Sequence, residues 1–212
     1  MANVVPNRQG VQQTNPQPNV DLAAFPAKLI PAKRVVYRQH ASKHSPWYFA
    51  SGDRGRFNLD EPSGTLYLAT TPKAAALELV GPDAAANGYI NASVVNGRLI
   101  SKLRTPVAIR AACLTSPNAL NWRIVVHELI SMPTYIIPRA WARAFAVAGF
   151  AGLWVPLRFS DPKPRGIALF GKSGTRNWPR DVNPETARKV CEKNGISVID
   201  PPHSRALNIV SY

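Results

Sequence analysis

The sequence predicts an α+β fold, a mixed β core with short flanking helices. Strand-like runs outnumber helical ones, and the two do not alternate in the βαβ order of a doubly wound sheet. One junction is especially clear. Thr65–Thr70, TLYLAT, alternates as a strand; Thr71 then reads as an N-cap and Pro72 as the first helical residue. The length, 212 residues, suits one domain with extensions.

In chain order, residues 1 to about 30 are rich in Asn, Gln and Pro and read as a flexible arm that packs no core. Arg34–His40, RVVYRQH, is the first strand, short, β-branched and aromatic. A polar and aromatic loop, ASKHSPWYFASGDRGRFN, leads to TLYLAT. KAAALELV then supplies good helix formers; Gly81 is expected to stop that helix and Pro82 to keep it stopped. Residues 82–106 read as loop-rich. Val107–Leu114 and Trp122–Ile130 read as strands. Arg139–Ala148 is a helix with Trp141, Phe145 and Ala148 on one face, ended by Gly149. Leu153–Val155 and Ile167–Phe170 read as strands around the basic loop LRFSDPKPRG. Asn183 is expected to cap a last helix, with Pro184 at its first position, running to Gly195; Ile196–Ile199 is the final strand.

Charge narrows the partners. Twenty-six Lys and Arg against 12 Asp and Glu give a formal +14. Such a surface attracts nucleic acid, anionic membranes, acidic proteins or phosphorylated small molecules. Cys113 and Cys191 are far apart and form no CxxC, so reduced thiols are expected rather than a disulfide framework or zinc. The opening MANVVPNRQG carries no signal-peptide core, and no run approaches about 18 apolar residues. The expectation is a cytoplasmic chain without a membrane span.

Several formal motifs fail on physical grounds. Gly166–Ser173 matches GxxxxGK[ST], but its middle positions, Ile-Ala-Leu-Phe, form a buried strand rather than a phosphate-cradling loop. His40 and His44 are spaced HxxxH within a Ser/Pro-rich loop, which excludes the helical metal site that spacing would need. No GxSxG elbow accompanies the four histidines. His127 and Glu128, read on a strand, would point to opposite faces.

The residues from Gly52 to Gly81 carry the strongest chemical signal. Arg54 and Arg56 lie in a Gly-flanked loop, where the backbone can approach a ligand and guanidinium groups can bind phosphate. Tyr67 lies on the following strand. Glu78 is the one acid of an otherwise apolar helix, where a carboxylate is costly unless paired or used. Together they suggest a site for an anionic nucleotide.

These segments resemble the RES domain family. Arg38 in VVYRQH, GDRGRFN, TLYLATTPKAAALELV and AGFAGLWVPLRFSDPKPRGIALFG carry the resemblance, over roughly residues 34–171. It implies a fold related to ADP-ribosyltransferases and toxins that deplete NAD+ by hydrolysis or phosphorolysis, or transfer ADP-ribose. NAD+ is then a substrate, without a metal. The implied partner is an antitoxin with an Xre-type helix-turn-helix part; a homodimer is compatible with the resemblance. The division it suggests is an arm over 1–30, a RES-like NAD-binding domain over 31–175, and a helix-strand extension over 176–212 packed on that domain.

Carried onto this sequence, Arg38 matches the family arginine of the first strand, Arg56 that of GGRFN, Tyr67 the tyrosine of LYLA and Glu78 the family glutamate. Arg54 replaces the first glycine of the GGR motif. Where the family has Ser-Arg, this chain has Leu157-Arg158, with Ser160 the nearest serine. The implied roles are pyrophosphate binding by Arg38 and Arg56, completed by Arg158 and Ser160. Tyr67 would line the nicotinamide side, and Glu78 would face the developing sugar cation. Two other classes stay open: a nucleic-acid-binding protein in which Trp47, Tyr48, Phe49 and Phe57 stack bases beside Arg54 and Arg56, and an inactive RES-like domain that binds a partner.

Overall fold

The computed structural model describes residues 13–160 and 163–201. The chain runs through β1 (Ala27–Ile30), β2 (Val35–Ala41), β3 (Tyr48–Phe49), β4 (Ser63–Ala69), α1 (Pro72–Asn87), β5 (Ile90–Asn91), α2 (Ala92–Val95), β6 (Arg98–Arg104) and β7 (Ile109–Cys113). A 3-10 turn (Pro117–Trp122) follows, then α3 (Val126–Ser131), α4 (Ile136–Val147), β8 (Gly152–Pro156), β9 (Arg165–Lys172), β10 (Gly174–Thr175), β11 (Glu185–Thr186), α5 (Ala187–Lys193) and β12 (Val198–Ile199). The fold is α+β, as the strand-rich pattern predicts.

An eight-stranded mixed sheet, ordered β1-β7-β8-β9-β4-β2-β6-β11, forms the frame. Only β7 and β8 pair in parallel within it. β4 is laddered to β9 along its whole length, from Ser63↔Lys172 to Ala69↔Gly166. β2 is laddered to β6 along its whole length as well, from Val35↔Arg104 to Ala41↔Arg98. The register between β2 and β4 holds a single residue pair, Tyr37↔Ala69. Beyond that pair the two ladders diverge and the sheet opens into a cleft.

Three apolar clusters flank this frame. Trp141, Phe145 and Leu129 of α3 and α4 pack with Phe150 and Leu153 on one side. Val36, Trp47, Phe49, Leu66 and Leu169 fill the centre. Ala74, Ala76 and Val80 of α1 meet Val190 and Cys191 of α5 on the other side.

Five sequence expectations are corrected. Residues 13–30 are not a free arm; positions 1–12 lie outside the described residues. Leu22 and Phe25 are buried in the first cluster, and Phe25 meets the rings of Trp122, Phe145 and Phe150 edge-on. The amide of Gln13 donates to Arg123 O and accepts from Val125 N, while the indoles of Trp122 and Trp141 donate to Asp21 O and Thr14 O. Two apolar anchors and a few shared hydrogen bonds suffice to order a polar segment against a scaffold that already exists.

Helix α1 runs through Gly81 and Pro82 and ends at Gly88, whose φ of 74° is left-handed. A proline in a helix interior lacks its N–H and crowds the carbonyl four residues back. Packing overrides that preference here: Gly81 is buried, and a Cβ placed on it would lie 2.3 Å from Phe159 Cγ. Gly81 is thus a contact surface rather than a stop.

Residues 82–106, expected to be loop-rich, complete α1 and form β5, α2 and the seven-residue strand β6. Trp122–Ile130 is not a strand. Val126, Leu129 and Ile130 turn inward at helical spacing, and His127 and Glu128 are both exposed on α3. The cap of α5 is Thr186, whose hydroxyl accepts from Lys189 N, rather than Asn183; Pro184 precedes β11.

Candidate functional site

The cleft where β2 and β4 part is a cavity of about 320 Å³. Arg38 and Gln39 line it from β2, Tyr67 and Leu68 from β4, and Arg56 from the loop between β3 and β4. Glu78 enters from α1, and Leu157 and Arg158 follow β8. The sequence-predicted residues Arg38, Arg56, Tyr67, Glu78 and Arg158 therefore meet. Arg54 is exposed and does not line the cavity.

The loop is placed by a chain of small contacts. A Cβ on Gly55 would lie 2.2 Å from Asn58 Oδ1, so only glycine lets Asn58 fold back beneath it. Asn58 Oδ1 accepts from the Tyr67 hydroxyl at 3.0 Å, and that hydroxyl accepts from Phe57 N at 2.8 Å. The Thr65 hydroxyl donates to Phe57 O and accepts from Leu59 N. The loop is thereby clasped to β4, and Arg56 emerges from it at a fixed point. Asp60, at the end of the clasp, pairs with Arg139 and Arg143 of α4.

Tyr67 presents its ring to the cavity, with 37% of its surface exposed, while its hydroxyl is enclosed between Phe57 and Asn58. Burial pushes the phenol well above its ordinary pKa, so it stays neutral. A fixed neutral ring suits stacking better than proton transfer.

The two arginines are held by neutral groups. Arg38 donates to Pro46 O at 2.6 Å and Tyr48 O at 2.9 Å; burial lowers its pKa to about 10, which still leaves it charged at neutral pH. Arg56 donates to Met132 O at 2.8 Å and lies 4.7 Å from the Tyr135 ring centroid. Burial lowers its pKa too, with Arg158 adding to the effect and Tyr135, Tyr67 and Glu78 opposing it. Neither guanidinium forms an ion pair with a carboxylate among the described residues. A half-buried cation that no carboxylate pairs directly is a receptor for an anion.

Glu78 is half-buried on α1, and its Oε1 accepts from Phe159 N at 2.9 Å. Desolvation raises its pKa; the backbone of Phe159 and Arg158 and the charges of Arg56 and Arg158 offset part of that rise. Arg158 is exposed at the rim, its guanidinium 5.1 Å from the Phe159 ring.

Ser160 is not among the residues lining this cavity. It lines an adjoining one of about 530 Å³ with His127, Ser131 and Arg165, and its buried hydroxyl has no hydrogen-bond partner. Leu157 lines both, sitting against Gly166, where a Cβ would lie 2.7 Å from Leu157 Cδ2. Ser160 thus stands apart from the cavity that Arg56 and Glu78 line, in one that shares Leu157 and Arg158 with it. The chain turns after Leu157 so that the backbone of Phe159, not the side chain of Ser160, meets Glu78.

Sequence reasoning missed Gln39, Asn58 and Tyr135. A GRFN loop ahead of a tyrosine strand is a usable signal for Asn58; nothing local marks the other two. The aromatics proposed to stack bases are also reassigned. Trp47, Phe49 and Phe57 are buried, and of the four only Tyr48 is exposed. Both ring nitrogens of His40 are engaged, by Ser101 Oγ and by the carbonyls of Ala41 and His44. Among the described residues no helix is long and apolar enough to cross a membrane.

The RES domain family matches residues 31–184 of the chain. Among solved structures, a chain of the crystal structure of the M. tuberculosis MbcT-MbcA toxin-antitoxin complex is similar, with a TM-score of 0.60. The similarity covers 77% of this chain and 90% of that one at 17% sequence identity, and so speaks to the fold. No curated protein sequence matches the chain.

Proposed function

The chain belongs to the RES domain family, and on that premise we propose that it is the toxin of a toxin-antitoxin pair and cleaves the nicotinamide-ribose bond of NAD+. The observation that carries the reading is the convergence of Arg38, Arg56, Tyr67, Glu78 and Arg158 on one cleft. Two cations without carboxylate partners, a fixed neutral ring and a desolvated carboxylate answer the parts of a dinucleotide. The pyrophosphate takes the guanidinium groups, nicotinamide lies against Tyr67, and the ribose hydroxyls and C1′ face Glu78.

In the reaction the bond between C1′ and the pyridinium nitrogen breaks, and its electron pair leaves with neutral nicotinamide. The sugar passes through an oxocarbenium-like state. Glu78 stabilises that charge across a water-poor wall, where an anion acts more strongly than in solvent. Water or phosphate then adds at C1′, and the nucleophile's proton is released to solvent or to Glu78. The proposed reaction is thus hydrolysis or phosphorolysis. The proposed partner is an antitoxin of the Xre type, and the formal charge of +14 suits an acidic surface on it. The similarity to a chain of a toxin-antitoxin complex supports a partner of this kind.

The test is incubation of purified, antitoxin-free protein with NAD+, with and without phosphate, with products identified by mass. Nicotinamide with ADP-ribose, or with its phosphate ester when phosphate is present, is the expected result. Intact NAD+ after prolonged incubation with folded protein would overturn the reading.

A further inference from the structure

Gln39 lines the cleft from β2 beside Arg38, and its Oε1 is buried with no hydrogen-bond partner. A buried carbonyl oxygen left unpaired is costly, so a folded protein keeps one where something else completes it. The neighbours along the strand do not supply the missing donor. Tyr37 packs toward α1, Arg38 turns its Nη1 to Pro46 O and Tyr48 O and makes no bond to Gln39, and His40 is committed to Ser101, Ala41 and His44. The open side of Gln39 is the cleft itself.

What Gln39 requires is a neutral N–H or O–H donor on the ligand. The pyrophosphate offers no donor. The ribose hydroxyls have a stronger acceptor in the Glu78 carboxylate. The remaining donor at the reacting end of the dinucleotide is the carboxamide of nicotinamide. A carboxamide and a glutamine amide are self-complementary: each has one carbonyl acceptor and an NH₂ donor, so two hydrogen bonds can close between them. We propose that Gln39 is a specificity residue that recognises the nicotinamide carboxamide, accepting its N–H at Oε1. The proposal rests on the NAD+ reading above and adds the residue that identifies the leaving group.

The experiment compares NAD+ with its 3-acetylpyridine analogue, in which a methyl ketone replaces the carboxamide and removes the N–H donors. Wild type and Gln39→Met, nearly isosteric but without the amide, are each assayed on both dinucleotides. Dividing one protein's preference by the other's cancels the intrinsic difference between the leaving groups. The wild type is expected to favour NAD+ in kcat/KM by about tenfold more than Gln39→Met does, the worth of one buried hydrogen bond. Equal preferences in the two proteins would overturn the proposal. Thermal melting guards against a purely structural role: because Oε1 has no partner in the protein, Gln39→Met should melt no lower than wild type. A large loss of stability would overturn the proposal, and Gln39→Leu repeats the comparison with a second side chain. If wild type consumes neither dinucleotide, it is the NAD+ reading itself that fails.

Discussion

Phe159 holds helix α1 at two points, Glu78 and Gly81. Its backbone N–H donates to Glu78 Oε1 at 2.9 Å, and its ring rests on Gly81, one helical turn further along α1. The acid and the glycine thus share one partner, and the segment after β8 is docked on α1 by both. Gly81→Ala should break this arrangement. With Phe159 Cγ only 2.3 Å from the new Cβ, the ring must move and carry the backbone donor with it. A loss of about 1–3 kcal/mol in chemical denaturation is expected, as for overpacking elsewhere, together with reduced turnover.

Glu78→Gln separates catalysis from stability. Turnover of NAD+ should fall about 10²-fold or more, the usual size for removal of an electrostatic stabiliser. Stability should move the other way. Desolvation raises the pKa of Glu78, so the folded protein favours the protonated acid. That benefit is complete below the ordinary carboxylate pKa and is lost as pH rises through the raised value. The glutamine variant has no such loss. Its melting temperature relative to wild type should therefore rise from acid toward neutral pH. A constant difference across that range would contradict the assignment.

The same shift predicts the acid limb of activity. If ionised Glu78 faces the sugar cation, kcat/KM should rise with pH, with a midpoint above 4.5, the ordinary carboxylate value. In Glu78→Gln that limb should be missing from the residual activity. Tyr67 should add no alkaline limb in the range where exposed tyrosines ionise, because burial holds its phenol neutral.

Arg56→Lys should be a poor substitution. The guanidinium donates through Nη1 to Met132 O and lies against the Tyr135 ring, and the side chain lines the cleft. An ammonium cannot reproduce that fork. KM for NAD+ should rise about tenfold, with the larger effect at low salt, measured by initial rates across ionic strengths.

The segment before β1 is structural. Phe25→Ala should destabilise the protein by about 3–5 kcal/mol, as for other buried aromatics. It removes a ring packed against Trp122, Phe145 and Phe150. A denaturant midpoint unchanged from wild type would show the segment to be dispensable.

The sequence made some of this legible and concealed the rest for physical reasons. Thr71 and Pro72 were readable because a cap and a first-turn proline act within a few residues. Gly81 and Pro82 misled because the ring that fills the glycine's space belongs to Phe159, far along the chain, and local propensity cannot register it. Trp122–Ile130 looked extended because its β-branched residues mask the inward spacing of Val126, Leu129 and Ile130. At the site, Glu78 is visible as an isolated acid that groups with Arg56 and Tyr67 within one short stretch, while Arg38 joins them only through the family resemblance. Ser160 was placed by counting from Leu157, and the turn after β8 sent it to the neighbouring cavity. Gln39 has no signal in sequence; an amide is distinctive only once its oxygen is seen without a partner.

The single register pair Tyr37↔Ala69 gives the cleft a mechanical meaning. The β2–β6 ladder and the β4–β9 ladder are each continuous, so the line between them is a seam, with Arg38 on one lip and Tyr67 on the other. A molecule lodged between the lips acts as a rivet across that seam. Occupancy should therefore slow amide hydrogen exchange on both ladders together, including at residues that touch no part of the bound molecule.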